Sequence, residues 1–292
     1  WLIAAGGTLF LAFPLLYASS FSGFYLPLMV LLWLLIGRGI GIEFRTHLAS
    51  PVWRMFFDGI FAFSSVLLAV FYGAAFANVI RGVPLDAQHM FFEPLWTNFR
   101  VGPNPGILDW YTVCAGVLAV VALSLHGALY LTVKTDGALQ ARARFTAYMF
   151  WAVALVLTIV ELLASVVVVR PELAHNYFNY PLWFVIPTAV GIGLIAIPIL
   201  LAQGREAAAF YACVIYLAGM VVGAAVALYP TVLPSSGDPQ NAITIYNAVS
   251  GPDSLRQALY WWIPGMVIAI SYFVFVYRMF RGKASLKSGY GH

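Results

Sequence analysis

Charge is what this chain has least of. Asp, Glu, Lys and Arg make up 9% of its 292 residues, against roughly 25% in a soluble domain. A chain so poor in charge cannot clothe a water-facing surface, and hydrophobic residues fill 62% of it. Cysteine is scarce too. Cys114 and Cys213 both fall inside apolar runs, where they read as small buried hydrophobes, and nothing in their spacing supports a disulfide or a metal pair. No Cys-x-x-Cys-His run occurs, and the five histidines (47, 89, 126, 175 and 292) are too scattered to form a ligand set. Gly-rich phosphate loops and a nucleophile elbow are missing. Taken alone, the chain does not read as a complete redox enzyme. Its net charge of +4 comes from basic residues flanking apolar runs, so nucleic acid is not an expected partner.

What is abundant is apolar sequence in lengths that match a bilayer, about 20 residues for a ~30 Å core. Spans are predicted at 1–18, 22–42, 56–80, 108–133, 145–169, 181–202, 207–229 and 258–280. Aromatic residues gather at span ends, as in Trp110-Tyr111 and Tyr260-Trp261-Trp262, where interfacial rings pack on acyl chains with their polar atoms wet. The expected fold is all-α, a polytopic transmembrane helical bundle in which each helix satisfies its own backbone. One integral membrane domain covers 1–292, with no soluble domain, low-complexity tract or clear repeat. The chain opens at Trp1, already inside an apolar run, with no Met and no basic n-region. The expectation is an N-terminally truncated chain whose first helix is missing.

Loop charges orient the bundle. Arg38, Arg45, Arg54, Lys134, Arg142, Arg144, Arg205, Arg278, Arg281, Lys283 and Lys287 fall at one end, and Arg81, Arg100, Arg170 and Arg256 at the other. The richer end is expected to be cytoplasmic, together with the C-terminus. Three longer connections, 81–107, 170–180 and 230–257, then face outward. The last holds a polar island, Tyr229–Leu255, in which Pro230, Pro234 and Pro239 forbid a continuing helix. Ser235, Ser236, Asp238, Asn241 and Asn247 supply turn and capping chemistry.

Acids inside spans are functional candidates, because a charge there costs at least a few kcal/mol unless it is paired or wet. Asp58 follows Arg54 by one helical turn, and a simple ion pair between them is the plain alternative. Glu161 lies deeper, and its plain alternative is a protonated acid bonded to a neighbouring helix. It is expected to lean outward and to matter less than Glu43. Glu43, Arg45 and His47 form the best proton-entry group: an acid, a fixed positive charge and a side chain titrating near neutral pH at one helix end. An interfacial charge cluster explains them equally well. His126, followed by Gly127-Ala128, reads as a packing histidine where helices approach closely.

The ordered motifs resemble a known family. Trp1 to Pro14, Tyr17 to Tyr25, Arg38 to Arg45, Asn78-Val-Ile-Arg-Gly-Val-Pro84 and His126-Gly-Ala-Leu-Tyr130 carry the likeness. So do Lys134-Thr-Asp-Gly137, the island with Pro234, Ser235, Ser236 and Asn247, and the closing Tyr277 to Lys283. Together they resemble the second subunit of cytochrome bd-type quinol oxidases, and the cyanide-insensitive branch is closely similar. The resemblance implies a subunit of a heterodimeric terminal oxidase in the bacterial inner membrane, which oxidises quinol and reduces dioxygen to water. Haems b and d then belong to the partner, subunit I. This chain would bind no haem, with room for a bound quinone, and would share a two-bundle, nine-helix plan. It would support subunit I across a broad apolar face and contribute part of a proton route.

Glu43 falls where the family carries an acid at the cytoplasmic end of that route, and His47 where a lysine can occur. Trp1 matches the last residue of a Trp-Asp-Gly-Asn-Gln-Val-Trp motif whose intramembrane aspartate would lie upstream. The island departs from the family at Asn247 to Leu255, where Gly251-Pro252 interrupts the usual wording. A secondary transporter is the alternative, since buried acids and prolines within spans (Pro187, Pro264) suit one. No inverted repeat accompanies them.

Overall fold

The computed structural model describes residues 2–283. Trp1, Lys287 and His292 lie outside the described residues. In chain order the helices are α1 (Leu2–Ala12), α2 (Pro14–Gly23), α3 (Tyr25–Phe44), α4 (Pro51–Arg81), α5 (Trp110–Lys134), α6 (Gly137–Leu163), the short α7 (His175–Asn179), α8 (Val185–Ala202), α9 (Glu206–Leu228) and α10 (Pro252–Met279). A π-helical turn, Ala164–Val169, extends α6. Seven of the described helices are long and apolar enough to cross a membrane, and α1 with α2 makes an eighth if that pair counts as one span.

That pair corrects the expected straight span at 1–18, since α1 and α2 meet at 112°. The cause is local. A residue before proline avoids the helical region, and Phe13, preceding Pro14, sits at φ −135°, ψ 63°. The remaining spans fall within a few residues of their predicted limits, except that α4 and α6 begin earlier and α10 starts at Pro252. α4 is the longest, at 31 residues, or about 46 Å at 1.5 Å per residue. It outreaches a ~30 Å hydrocarbon core and carries Arg81 beyond it.

Without a hydrophobic drive between helices in lipid, close packing of small residues holds the bundle together. α4 meets α5 through facing glycines. A Cβ on Gly73 would come within 2.6 Å of the Ala115 carbonyl oxygen, and one on Gly116 within 2.9 Å of that of Val70. Nothing lies within 4 Å of a Cβ on Gly127, so the close contact expected beside His126 forms two to three turns earlier on α5 instead. α5, α6, α8 and α9 enclose the largest core, which includes Leu125, Leu129, Ala147, Ala154, Ile197 and Tyr216. α10 packs chiefly against α1.

The polar island and the 82–109 connection fold together as a cap over the end of the bundle opposite the basic residues. Strands β1 (Thr231–Leu233) and β2 (Ile243–Thr244) pair antiparallel. Leu233, Ile243 and Ala248 from the island bury against Val83, Leu85 and Phe91 from the other segment and Leu16 of α2. Ser250 returns to α1, donating from its backbone N–H to the Ala12 carbonyl at 2.9 Å. The island is therefore a folded lid with its own small core.

Candidate functional site

Three groups of polar side chains stand out, one at each end of the bundle and one within it. At the basic end, α3 stops and α4 begins across a short loop. Arg45 in that loop donates from Nε to Asp58 Oδ1 at 2.6 Å and from Nη2 to Oδ2 at 3.3 Å. The expected partner of Asp58, Arg54, is displaced by this two-point contact, because a fork aimed from the facing loop matches a carboxylate better than a neighbour on the same helix. Both side chains stay about half exposed, at 46% and 53%. His47 places Nδ1 3.1 Å from the Glu43 carbonyl oxygen and stacks on Phe44. Glu43 is exposed and forms no ion pair with Arg45 or His47 among the described residues. The three share a helix end, not a charge network. Nearby, the Arg38 guanidinium lies 5.5 Å from the Phe61 ring centre, a cation–π contact.

Within the bundle, Glu161 corrects a second expectation. It does not lean outward. α6 turns this face toward α5, so the side chain is buried and neither carboxyl oxygen has a partner. The Cys114 thiol of α5 faces it. Just beyond, Ser165 donates to the Glu161 carbonyl at 2.6 Å and meets the Tyr111 hydroxyl at 2.8 Å. The π-helical turn begins here, a deformation common at functional positions. His126 packs against Phe210 with ring centres 4.7 Å apart and the ring planes tilted by 31°. Its Nδ1 is buried without a partner, and its ring helps to line a cleft of about 560 Å³ with Tyr130, Lys134, Tyr211 and Arg281.

The third group lies under the cap and was not foreseen. Arg81, ending α4, is 1% exposed, Glu93 is 0% and Asp109 is 1%. The arginine donates from Nη2 to Glu93 Oε1 and from Nη1 to Asp109 Oδ2. It also donates to the Asn78 side-chain oxygen at 2.5 Å and the Gly106 carbonyl at 3.1 Å. Asn78 spends its amide on the Ala74 and Ile107 carbonyls, at 2.8 and 2.9 Å. Asp109 caps α5 in a reciprocal box, accepting from the Thr112 N–H while the Thr112 hydroxyl accepts from its own.

Asp109 thus has a donor on each oxygen, whereas Glu93 Oε2 is buried with none. Burial pushes the Glu93 carboxyl up to about 7, with Asp109 adding to the rise and Arg81 opposing it. In the sequence, Arg81 counts as a loop charge, Glu93 falls within the 81–107 connection, and Asp109 falls at the edge of the predicted 108–133 span. The available signal was the run from Asn78 through Arg81, already part of the family resemblance.

The island residues stitch the cap to this cluster. The Pro234 carbonyl accepts from the Val83 N–H at 3.0 Å, and the Ser236 N–H donates to the Val83 carbonyl at 2.9 Å. Arg170 reaches the Ser235 carbonyl at 3.3 Å, and the Ser236 hydroxyl reaches that of Pro103 at 2.9 Å. Asn247 closes its own turn, accepting from the Thr244 N–H at 2.7 Å and donating to the Ala242 carbonyl at 3.0 Å.

Comparison with known proteins identifies what carries this arrangement. The family described as cytochrome bd terminal oxidase subunit II matches residues 1–280. This chain belongs to that family. A probable cytochrome oxidase subunit 2 of Haemophilus influenzae is 30% identical, covering 97% of this chain and 80% of its own length. The cytochrome bd-I ubiquinol oxidase subunit 2 of Escherichia coli K12 is 33% identical over 88% of this chain and 73% of its own. Subunit 2 of the Bacillus subtilis cytochrome bd ubiquinol oxidase is 28% identical over 98% and 81%. The fold matches a chain in the structure of bd oxidase from Geobacillus thermodenitrificans with a TM-score of 0.66, at 17% identity, over 88% of this chain and 73% of that one.

This subunit II is therefore a membrane-embedded, multi-span component of a bacterial oxidoreductase complex. The transporter alternative finds no support in these matches. The complex implies haem. His126 is the one histidine in a described span, and a face of its ring is taken by Phe210. No three His, Cys, Asp or Glu side chains gather as a metal site among the described residues.

Proposed function

We propose that subunit II is the haem-free half of a two-subunit quinol oxidase. It braces subunit I, in which haems b and d sit, and contributes part of a proton route, while the complex oxidises quinol and reduces dioxygen to water. The observation that carries this reading is the match of residues 1–280 to subunit II of the cytochrome bd terminal oxidases. Wide apolar faces on α3, α6 and α10 remain exposed, and a partner subunit embedded in the same bilayer suits them. The basic end and the C-terminus are assigned to the cytoplasm by the excess of Lys and Arg there. On that assignment exposed Glu43 faces the proton source, with the Arg45–Asp58 ion pair beside it. Asp58 is held by Arg45 and is the weaker candidate, whereas Glu161, buried and unpaired, stands level with Glu43.

Co-expression with a subunit I gene, followed by purification through a tag on subunit II, tests the assignment. The reduced-minus-oxidised spectrum is expected to show haem b and d bands that are absent when subunit II is expressed alone. Missing bands in the co-purified complex, or bands from subunit II alone, would sink it. In the assembled oxidase, Glu43→Ala is expected to slow turnover with haem content intact. Unchanged turnover and proton uptake would reduce Glu43 to an interfacial charge.

A further inference from the structure

The cluster beneath the cap holds one permanent positive charge, Arg81, against two carboxyl groups, Glu93 and Asp109. With both acids ionised, a site sealed from solvent would carry a net negative charge, which burial strongly disfavours. The hydrogen bonds show where that imbalance is relieved. Both Asp109 oxygens are occupied by donors, from Thr112 and Arg81. Glu93 receives Arg81 on Oε1 alone, and Oε2 is buried and unpartnered. We propose that Glu93 is a proton-binding site: Oε2 takes up one proton from the medium on the capped side, and that proton fastens the 82–109 segment to the bundle.

The fastening follows from what Arg81 and Asn78 hold. Both belong to the last turn of α4, and both bind carbonyls near the far end of the segment, at Gly106 and Ile107. Arg81 also reaches the Gly82 carbonyl at its near end. Glu93 sits midway between, so the cluster ties three points of one connection to a single side chain. A protonated Glu93 leaves the cluster neutral. When the proton leaves Oε2 for the medium, the excess charge is relieved by opening the segment to water. Arg81 from α4 and Asp109 from the cap of α5 are the charged groups that face Glu93, and neither supplies a donor to Oε2. The position of the carboxyl's titration, near neutral pH, agrees with this geometry.

Hydrogen–deuterium exchange of the 82–109 segment in the purified two-subunit complex tests the proposal, with rates corrected for the intrinsic pH dependence of amide exchange. The segment is expected to open about tenfold more readily at about pH 8 than at about pH 6, as linkage to one proton requires. Glu93→Gln, neutral at both, is expected to stay closed at both. Equal opening of the wild-type segment at the two values, or an unaltered pH dependence in Glu93→Gln, overturns the proposal. Should Glu93→Gln fail to assemble, infrared difference spectra of Glu161→Gln, in which the capped carboxyl is the one left buried and unpartnered among the described residues of subunit II, decide the matter. A protonated-carboxyl band lost on raising the pH and regained on lowering it supports the site, and an invariant spectrum overturns it.

Discussion

Both ends of this bundle tie an arginine to an acid, but they do so in opposite solvents. Arg45 and Asp58 keep about half their surface in water, where Coulomb attraction is weak and salt screens it. Arg81, Glu93 and Asp109 keep at most 1%. Their charges have no water to fall back on, so each must be answered by a protein donor or by a proton. The two ends therefore suit different work. An exposed acid such as Glu43 exchanges protons quickly and holds nothing in place. A sealed acid exchanges slowly and holds a great deal. On the proposed proton route, which begins at the basic end, the opposite end suits fastening.

The sharpest way to break this comparison is to remove the arginine at the sealed end. Arg81→Ala strips the counter-charge and the carbonyl contacts from the cap at once, leaving two buried acids unanswered. Breaking one partner of a buried ion pair costs roughly 3–5 kcal/mol, enough to prevent stable assembly or to lower the melting temperature of the complex markedly. A variant that assembles and melts like the wild type would show that the cluster bears no load, and the contrast between the ends would fall with it.

The next effect is a pH dependence of stability with a definite sign. A free Glu carboxyl titrates near 4.5 and this one near 7, so between those values the folded state holds a proton that the unfolded chain has released. Stability then falls as pH rises. The contribution is present in full below about 4.5, declines through the interval and is gone above about 7, a change of roughly 3 kcal/mol at 1.4 kcal/mol per pH unit. Denaturation of wild type and Glu93→Gln in detergent across this range isolates it as their difference. A flat difference would mean that Glu93 is not the titrating member.

The sequence makes the spans plain because lipid imposes a length and a polarity on each, and α5 and α9 fall within a residue or two of expectation. It does not reveal how they meet. The break at Phe13 depends on Pro14, but a proline within an apolar run reads as a tolerated kink, not a 112° corner. Glu43, Arg45 and His47 lie close in sequence, so their shared helix end is legible. The sealed cluster is not, since residues 81, 93 and 109 meet only once the intervening loop has folded. Charge also misleads here. In loops it suggests water, and nothing local distinguishes a carboxyl destined for a cap from one left outside. The same blindness put Asp58 with Arg54: spacing along one helix is visible, whereas the reach of Arg45 across a loop is not.

The smallest expected effect lies at the open end, and it makes the contrast quantitative. Asp58→Asn keeps the size and shape of the side chain while removing the charge that Arg45 grips at 2.6 Å. With both partners about half exposed, water replaces the lost contact, and no measurable change in melting temperature is expected at moderate salt. The same substitution at the sealed end, Asp109→Asn, removes one member of a buried ion pair and a cap of α5 together. Running the two side by side holds the chemistry constant and varies only the surroundings. Were Asp58→Asn to melt as early as Asp109→Asn, the exposed pair would be bearing load that its contact with water does not explain. The natural cause would then be burial of that end in the assembled complex, which the same measurement on subunit II alone would expose by losing the effect.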